Sequence, residues 1–139
     1  MSELAVLPFE FVIDGPPVSQ QTRRRERYHA WKAEVRRTAA QSWPAGELPV
    51  SDPVMLTITY FYVESAMDVD NIPKPISDAL IGLVYLDDSQ INDVVCRRRD
   101  LTAGLRVLGP SRVLASGFEL GREFLHVRVD HAPDQSIIQ

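Results

Sequence analysis

The chain has 139 residues, 45% of them hydrophobic and 24% charged, and a formal net charge of −4. That balance fits one soluble globular domain, expected over residues 1–132, which buries roughly two-thirds of its unfolded surface. Cys96, the single cysteine, excludes an internal disulfide and a cysteine-built zinc cage. No apolar run can span a bilayer, and Met1-Ser2-Glu3-Leu4 lacks the basic and apolar regions of a signal peptide, so no membrane association and a reducing cytoplasm are expected.

Residues 7–13 alternate loosely and end at Asp14-Gly15-Pro16-Pro17, which reads as a strand entering a turn. Tyr28, Trp31, Val35 and Ala39 then recur at three- and four-residue steps, the spacing of an amphipathic helix that ends near Trp43-Pro44. Residues 54–63 are rich in β-branched and aromatic side chains on both faces, which predicts a central strand. Ile76, Ala79, Leu80 and Leu83 form a second helical stripe, and Pro73 and Pro75 are compatible only with its first turn. Asp87 and Asp88 sit in a turn before a strand over residues 94–100. Residues 104–117 contain glycines and Pro110 and read as a long loop or irregular hairpin. A last strand covers residues 124–129, and residues 133–139 form a flexible polar tail. The expected class is α/β (α+β): a small mixed sheet with two main helices packed on it, in β-α-β-α-β-β order. Neither a Gly-rich phosphate loop nor a meaningful Ser/His/Asp set is present.

Charge is unevenly spread. Thirteen of the fifteen basic residues are arginine, whose planar fork suits phosphate oxygens. Arg23, Arg24, Arg25 and Arg27 open a basic stretch that continues through Lys32, Arg36 and Arg37, and Arg97-Arg98-Arg99 forms a second cluster. Arg23, Arg24, Arg25, Arg27, Arg97 and Arg99 are the candidate nucleic-acid contacts, with Arg98 facing opposite to its neighbours along a strand. Trp31 and Trp43 read as core residues. His29, His126 and His131 lack ligand spacing and read as ordinary surface or strand positions, and Cys96 as a small apolar filler.

The most informative segment is Asp68-Val69-Asp70-Asn71, followed by Lys74 and then by Asp87-Asp88. If Asp68 and Asp70 prolong the strand from residue 54, both point to one face. Asp88, in the turn after the helix, then returns to the same end of the sheet. Three carboxylates gathered there repel one another unless a cation binds or one keeps its proton. Magnesium takes such oxygen ligands at about 2.0–2.1 Å and keeps several waters, and a lysine alongside meets negative charge on a phosphate or steadies the attacking water. The plainer alternative stays open on residues alone: Asp70 or Asn71 caps a helix, Asp78 is a surface residue, and Asp87-Asp88 makes a turn.

Asp68-Val69-Asp70-Asn71, Lys74, Asp78-Ala79-Leu80 and Leu86-Asp87-Asp88-Ser89-Gln90-Ile91 together resemble the signature of RusA-type Holliday junction resolvases. Gly15-Pro16-Pro17-Val18-Ser19-Gln20 is similar to that family's N-terminal segment, and Tyr28 with Trp31-Lys32 to its first helix. The resemblance covers about residues 10–100. It implies a small homodimeric α/β endonuclease that needs magnesium or manganese and cuts four-way DNA junctions symmetrically in recombination and repair, leaving 5′-phosphates. By position, Asp68, Asp70 and Asp88 match the metal-binding carboxylates and Lys74 the catalytic lysine, with Asp87 and Asn71 supporting. A two-fold dimer offers one site for each strand to be cut. The chain departs from the family pattern at Ser65-Ala66-Met67, where basic residues are usual, in the two prolines around Lys74, and in the length of residues 102–117. Two other functions share the signature: a DNA-structure-binding protein without activity, and a nuclease for other branched nucleic acids.

Overall fold

The structure, a computed structural model, describes residues 6–64 and 67–139. Its elements run β1 (Phe9–Asp14), α1 (Arg25–Ser42), β2 (Val54–Tyr62), α2 (Pro73–Ala79), β3 (Ile91–Asp100), α3 (Arg112–Phe118) and β4 (Phe124–His131), with 3-10 turns at Val69–Asn71 and Asp88–Gln90. One four-stranded sheet is ordered β1-β4-β2-β3. β4 is antiparallel to both β1 and β2, whereas β2 and β3 run parallel. The mixed α+β class matches the expectation, and β2 is interior, as its two apolar faces require.

Period-two alternation sorts the sheet into two unlike faces. On one, Phe9, Phe11 and Ile13 stand in register with Val129, Val127 and Leu125, which in turn face Leu56, Ile58 and Tyr60. All nine are buried. Trp31, Val35 and Ala39 of α1, with Ile72, Ile76, Ala79 and Leu80 around α2, close over them as the core. Burying each large apolar side chain contributes roughly 1.5–3 kcal/mol, so this layer carries most of the stability. Arg36 fastens α1 to the end of α2, its Nη1 donating to the carbonyls of Ala79 (3.2 Å) and Ile81 (2.6 Å). Those carbonyls lack helical partners, and a cation is well placed at a helix C-terminus.

The second face is polar and mixed. Val12, His126, Thr59 and Arg97 form one row across it, and Asp14, Phe124, Phe61 and Arg99 another. α3 packs here against β1 and β4, which corrects the reading of residues 104–117 as a loop. The glycines and Pro110 dominate that stretch, and seven residues are too few to be helical alone. Ser111 overrides them: its Oγ accepts from the Leu114 amide (3.1 Å) as the N-cap and donates to Glu10 (2.6 Å). His126 reaches the same Glu10 oxygen at 2.7 Å, so this histidine, buried on β4, has a partner that spacing did not reveal. Burial alone would raise the Glu10 carboxyl. Hydrogen bonds from Ser111 and His126, helped by the charges of His126 and Arg128, outweigh it and hold the group below its usual range. Cys96 is half-buried on β3, its thiol pushed up to about 11 by burial, consistent with an inert filler.

Phe118 meets the rings of Phe61 and Phe124 edge-on, and Phe61 stacks on Phe124 with centroids 4.6 Å apart. α3 fits this close because Gly117 has no side chain: a Cβ there would run into the Phe124 ring. Gly117→Ala is therefore expected to destabilise the protein by about 1–3 kcal/mol through overpacking, read as a lowered urea midpoint with an unchanged m-value.

Candidate active site

β2 leaves the sheet at Tyr62, and a single carboxylate fixes its exit. Glu123 accepts from the Tyr60 hydroxyl (2.5 Å) and from the amides of Val63 (2.8 Å) and Glu64 (3.2 Å). Burial opposes the charged form of Glu123, but the Tyr60 hydroxyl and the two amides more than offset it and keep its pKa below the ordinary value. Of Ser65-Ala66-Met67, the first two lie outside the described residues. The Met67 carbonyl accepts from Arg98 Nη1 at 3.2 Å. Arg98 does face opposite to its neighbours, and this turns it toward the acid-bearing segment, a role for which sequence alternation was the only signal.

Asp68 and Asp70 do not prolong β2. Asp68 has extended backbone and precedes the Val69–Asn71 turn, whose first bond runs from the Asn71 amide to the Asp68 carbonyl (3.0 Å). The strand that was expected to turn both to one face therefore ends before them. Both side chains are exposed, and neither caps a helix: α2 begins at Pro73 with Ile72 before it and no side-chain cap. Proline at the first helical position has no amide that needs one. Among the described residues neither carboxylate takes a hydrogen bond or ion pair from a side chain. The Asn71 carbonyl accepts from the Gln20 amide at 3.3 Å, which docks the Pro17–Gln20 stretch on the acid turn.

Asp88 arrives from a different direction than expected. Because β3 is parallel to β2, with Ile91 opposite Val54, the turn before β3 lies beside the entering end of β2, not its outgoing end. Lys74, in the first turn of α2, reaches it: its Nζ lies 3.1 Å from Asp78 and 3.6 Å from Asp88. Asp78 is accordingly more than a surface residue. Its hydrogen bond and charge, with a smaller contribution from Asp88, raise the Lys74 pKa above its ordinary value. Asp87 is structural: its carboxylate accepts from the Ser89 amide (3.2 Å) and closes a capping box with Gln90. Gln90 also donates to the carbonyls of Val50 and Asp52, both at 2.9 Å. This clamp holds the turn and leaves Asp88 exposed.

Arg23, Arg24, Arg25 and Arg27 are exposed on the approach to α1 and its first turn. Arg27 lines a cleft of about 290 Å³ with Pro17, Val18, Ser19, Thr22 and Met67, the residue next to Asp68. Arg25 lies 4.0 Å over the Tyr28 ring. Arg97 and Arg99 are not part of this surface. They stand on the polar face of the sheet, across from α1 and α2, where Arg97 donates to Thr59 Oγ1 (3.0 and 3.2 Å). Trp31 and Trp43 are buried in the core.

A family model described as endodeoxyribonuclease RusA matches residues 15–108, a span that holds every candidate acid, Lys74 and both arginine groups. The chain belongs to the RusA family. No curated protein matches it. Membership implies endonuclease activity on Holliday junctions in general, and RusA endonucleases generally depend on a divalent metal. Among the described residues no helix is long and apolar enough to cross a membrane.

The candidate acids suit a hard cation by chemistry: their carboxylates are exposed, and those of Asp68 and Asp70 have no side-chain partner among the described residues. Among the described residues no group of three or more His, Cys, Asp or Glu stands close enough to hold a metal ion. Magnesium, which keeps several waters and is bound through one or two carboxylates, does not require such a cage. The raised Lys74 pKa has a definite sign. Its pairing favours the folded state below the ordinary lysine value near 10.5, and that contribution is lost as pH rises through the higher folded value. Asp78→Asn is expected to bring the Lys74 pKa down toward 10.5, and Asp88→Asn to lower it less, as read by NMR titration of the lysine Cε and Hε signals.

Proposed function

We propose that this RusA-family chain is a magnesium-dependent endonuclease that resolves four-way DNA junctions in recombination and repair, as a cytoplasmic homodimer, with manganese able to substitute. The observation that carries this reading is Lys74, held between Asp78 and Asp88 at the start of the helix that follows the turn of Asp68 and Asp70. Asp68 and Asp70 would hold the cation, with Asp88 acting through its ion pair with Lys74; bound there, the cation would polarise a phosphate oxygen and lower the pKa of a coordinated water. Asn71 and Asp87 shape the two turns that present these acids. Lys74 is a poor general base, because its partners favour the ammonium form. It acts instead as a fixed positive charge facing a scissile phosphate. Asp78 and Asp88 restrain the ammonium before substrate arrives, which lowers the ordering cost on binding. Arg23, Arg24, Arg25 and Arg27 extend this surface along the loop toward α1 and suit the phosphodiester backbone.

Cleavage of a synthetic four-way junction in magnesium, beside linear duplex and flapped DNA, tests the reading. The wild type is expected to cut the junction preferentially. Asp70→Asn should abolish cutting while leaving junction binding intact, and Lys74→Ala should cost about 10²–10³ in rate. A second reading, a junction-binding protein without activity, draws on the lack of three clustered ligands among the described residues. Binding without cutting in magnesium and in manganese would establish it.

The arginines before α1 have their own signature. Replacing Arg23, Arg24 and Arg25 with glutamine should weaken junction binding and flatten the plot of log affinity against log salt by about 0.9 for each phosphate that these side chains neutralise. An unchanged slope would remove them from the interface.

A further inference from the structure

The polar face of the sheet is only partly covered. α3 packs chiefly over β1 and β4 and meets β2 through the Phe118–Phe61 ring contact, which leaves the β3 side open beneath the segment that returns from β3. Asp100 starts that return, accepting from both the amide (2.8 Å) and hydroxyl (2.7 Å) of Thr102. Residues 105–108 then lie back over the sheet. Together they enclose a groove of about 250 Å³ whose walls include Arg97, Arg99, Arg106, Phe61, Leu105 and Leu108. Three guanidinium groups from two separate segments line it, and no carboxylate does.

The nearby acids do not neutralise this charge. Asp14 pairs with Arg122 (3.1 Å), Glu10 with His126 (2.7 Å), and Asp130 with Arg128 (3.2 Å). Among the described residues Arg97, Arg99 and Arg106 have no ion pair, and all three are exposed. Arg97 is aimed by its two bonds to Thr59 Oγ1, and Arg99 by one to the Arg98 carbonyl (2.9 Å). Two residues apart on a strand, Arg97 and Arg99 project on one face about 6.6–6.8 Å apart, a regular pair of forks suited to successive anionic groups along a chain. The apolar side chains that share the groove suit the sugar edge of such a chain better than a free inorganic ion, which needs none.

We propose that this groove is a second nucleic-acid surface: it grips the phosphodiester backbone of a different arm of the branched substrate from the one facing Asp68, Asp70 and Lys74. The inference rests on the proposed junction activity and adds to it a separate site across the sheet, with Arg106 as a contact that sequence grouping did not single out. A molecule that carries cationic surfaces on both faces of its sheet holds two arms at once, so it discriminates a junction from a single duplex by the number of surfaces engaged.

The test is binding of the full-length protein, in calcium to prevent cutting, to a four-way junction and to a short linear duplex across a salt series. Arg97→Gln/Arg99→Gln/Arg106→Gln is compared with the wild type. Arg99→Gln/Arg106→Gln, which keeps the Arg97–Thr59 contact, guards against a folding defect. Both variants are expected to bind the junction at least about tenfold more weakly, with a salt slope shallower by about 0.9 for each phosphate no longer neutralised, and to bind the duplex nearly as well as the wild type. Equal junction affinity and slope in a folded variant overturn the proposal. So does a loss of equal size on junction and duplex, or a variant whose DNA-free sedimentation mass drops, which would give the groove to a second copy of the chain. A wild type that binds no junction sinks the parent reading instead, and is told apart because it fails before any arginine is changed.

Discussion

The parallel pairing of β2 with β3 governs everything near the acids. Antiparallel neighbours can be joined by a tight turn, but parallel ones need the chain to travel back along the sheet before the second strand begins. Here the return path is the acid-bearing turn, α2 and the turn at Asp88, laid over the apolar face beside α1. The carboxylates therefore come from the two ends of one crossover. Lys74, near its middle, is the side chain that reaches from the first turn of α2 to the second acidic turn.

Around that crossover the protein uses its polar groups to fasten backbone. Glu123 ties down the exit of β2, Arg98 the Met67 carbonyl, Gln20 the Asn71 carbonyl, and Gln90 the two carbonyls before β2. Each bond satisfies a main-chain group of an irregular segment that has no ladder partner. The side chains of Asp68 and Asp70 take no part in this fastening, and Asp88 contributes only through Lys74. A segment whose shape is held by other residues can leave its acids exposed to solvent. This separation of scaffold from acids is what the proposed electrostatic site requires. It also explains why Asp87 and Asp88, neighbours of identical type, do different things: the first is consumed as a cap and the second is not.

The two faces of the sheet divide the arginines in a way that their order along the chain hides. Arg97 and Arg99 differ from Arg98 only by one step of the pleat, yet that step sends them to opposite sides of the molecule. Arg36, part of the same basic run as the arginines before α1, is committed to the carbonyls at the end of α2. Counting arginines by cluster thus overstates the surface near the acids and misses Arg106, which joins Arg97 and Arg99 only because the chain folds back after Asp100.

Much was legible in the residues alone. The helical spacing of Tyr28, Trp31, Val35 and Ala39 matches the buried stripe of α1 residue for residue, because a two-layer core admits only that periodicity. The doubly apolar run at 54–63 marked an interior strand, and Pro73 and Pro75 marked the first turn of α2, since both restrict the backbone locally. Local signals failed where long-range contacts decide. α3 exists because Ser111 meets Glu10, far away in the chain, and because Gly117 admits the Phe124 ring. Likewise, the types and order of Asp68, Asp70, Lys74 and Asp88 are written in the chain, but which end of the sheet presents each was fixed by strand direction. A hydrophobic pattern says which side of an element faces the core; it does not say whether its neighbour runs parallel or antiparallel, and here that choice set the geometry of the site.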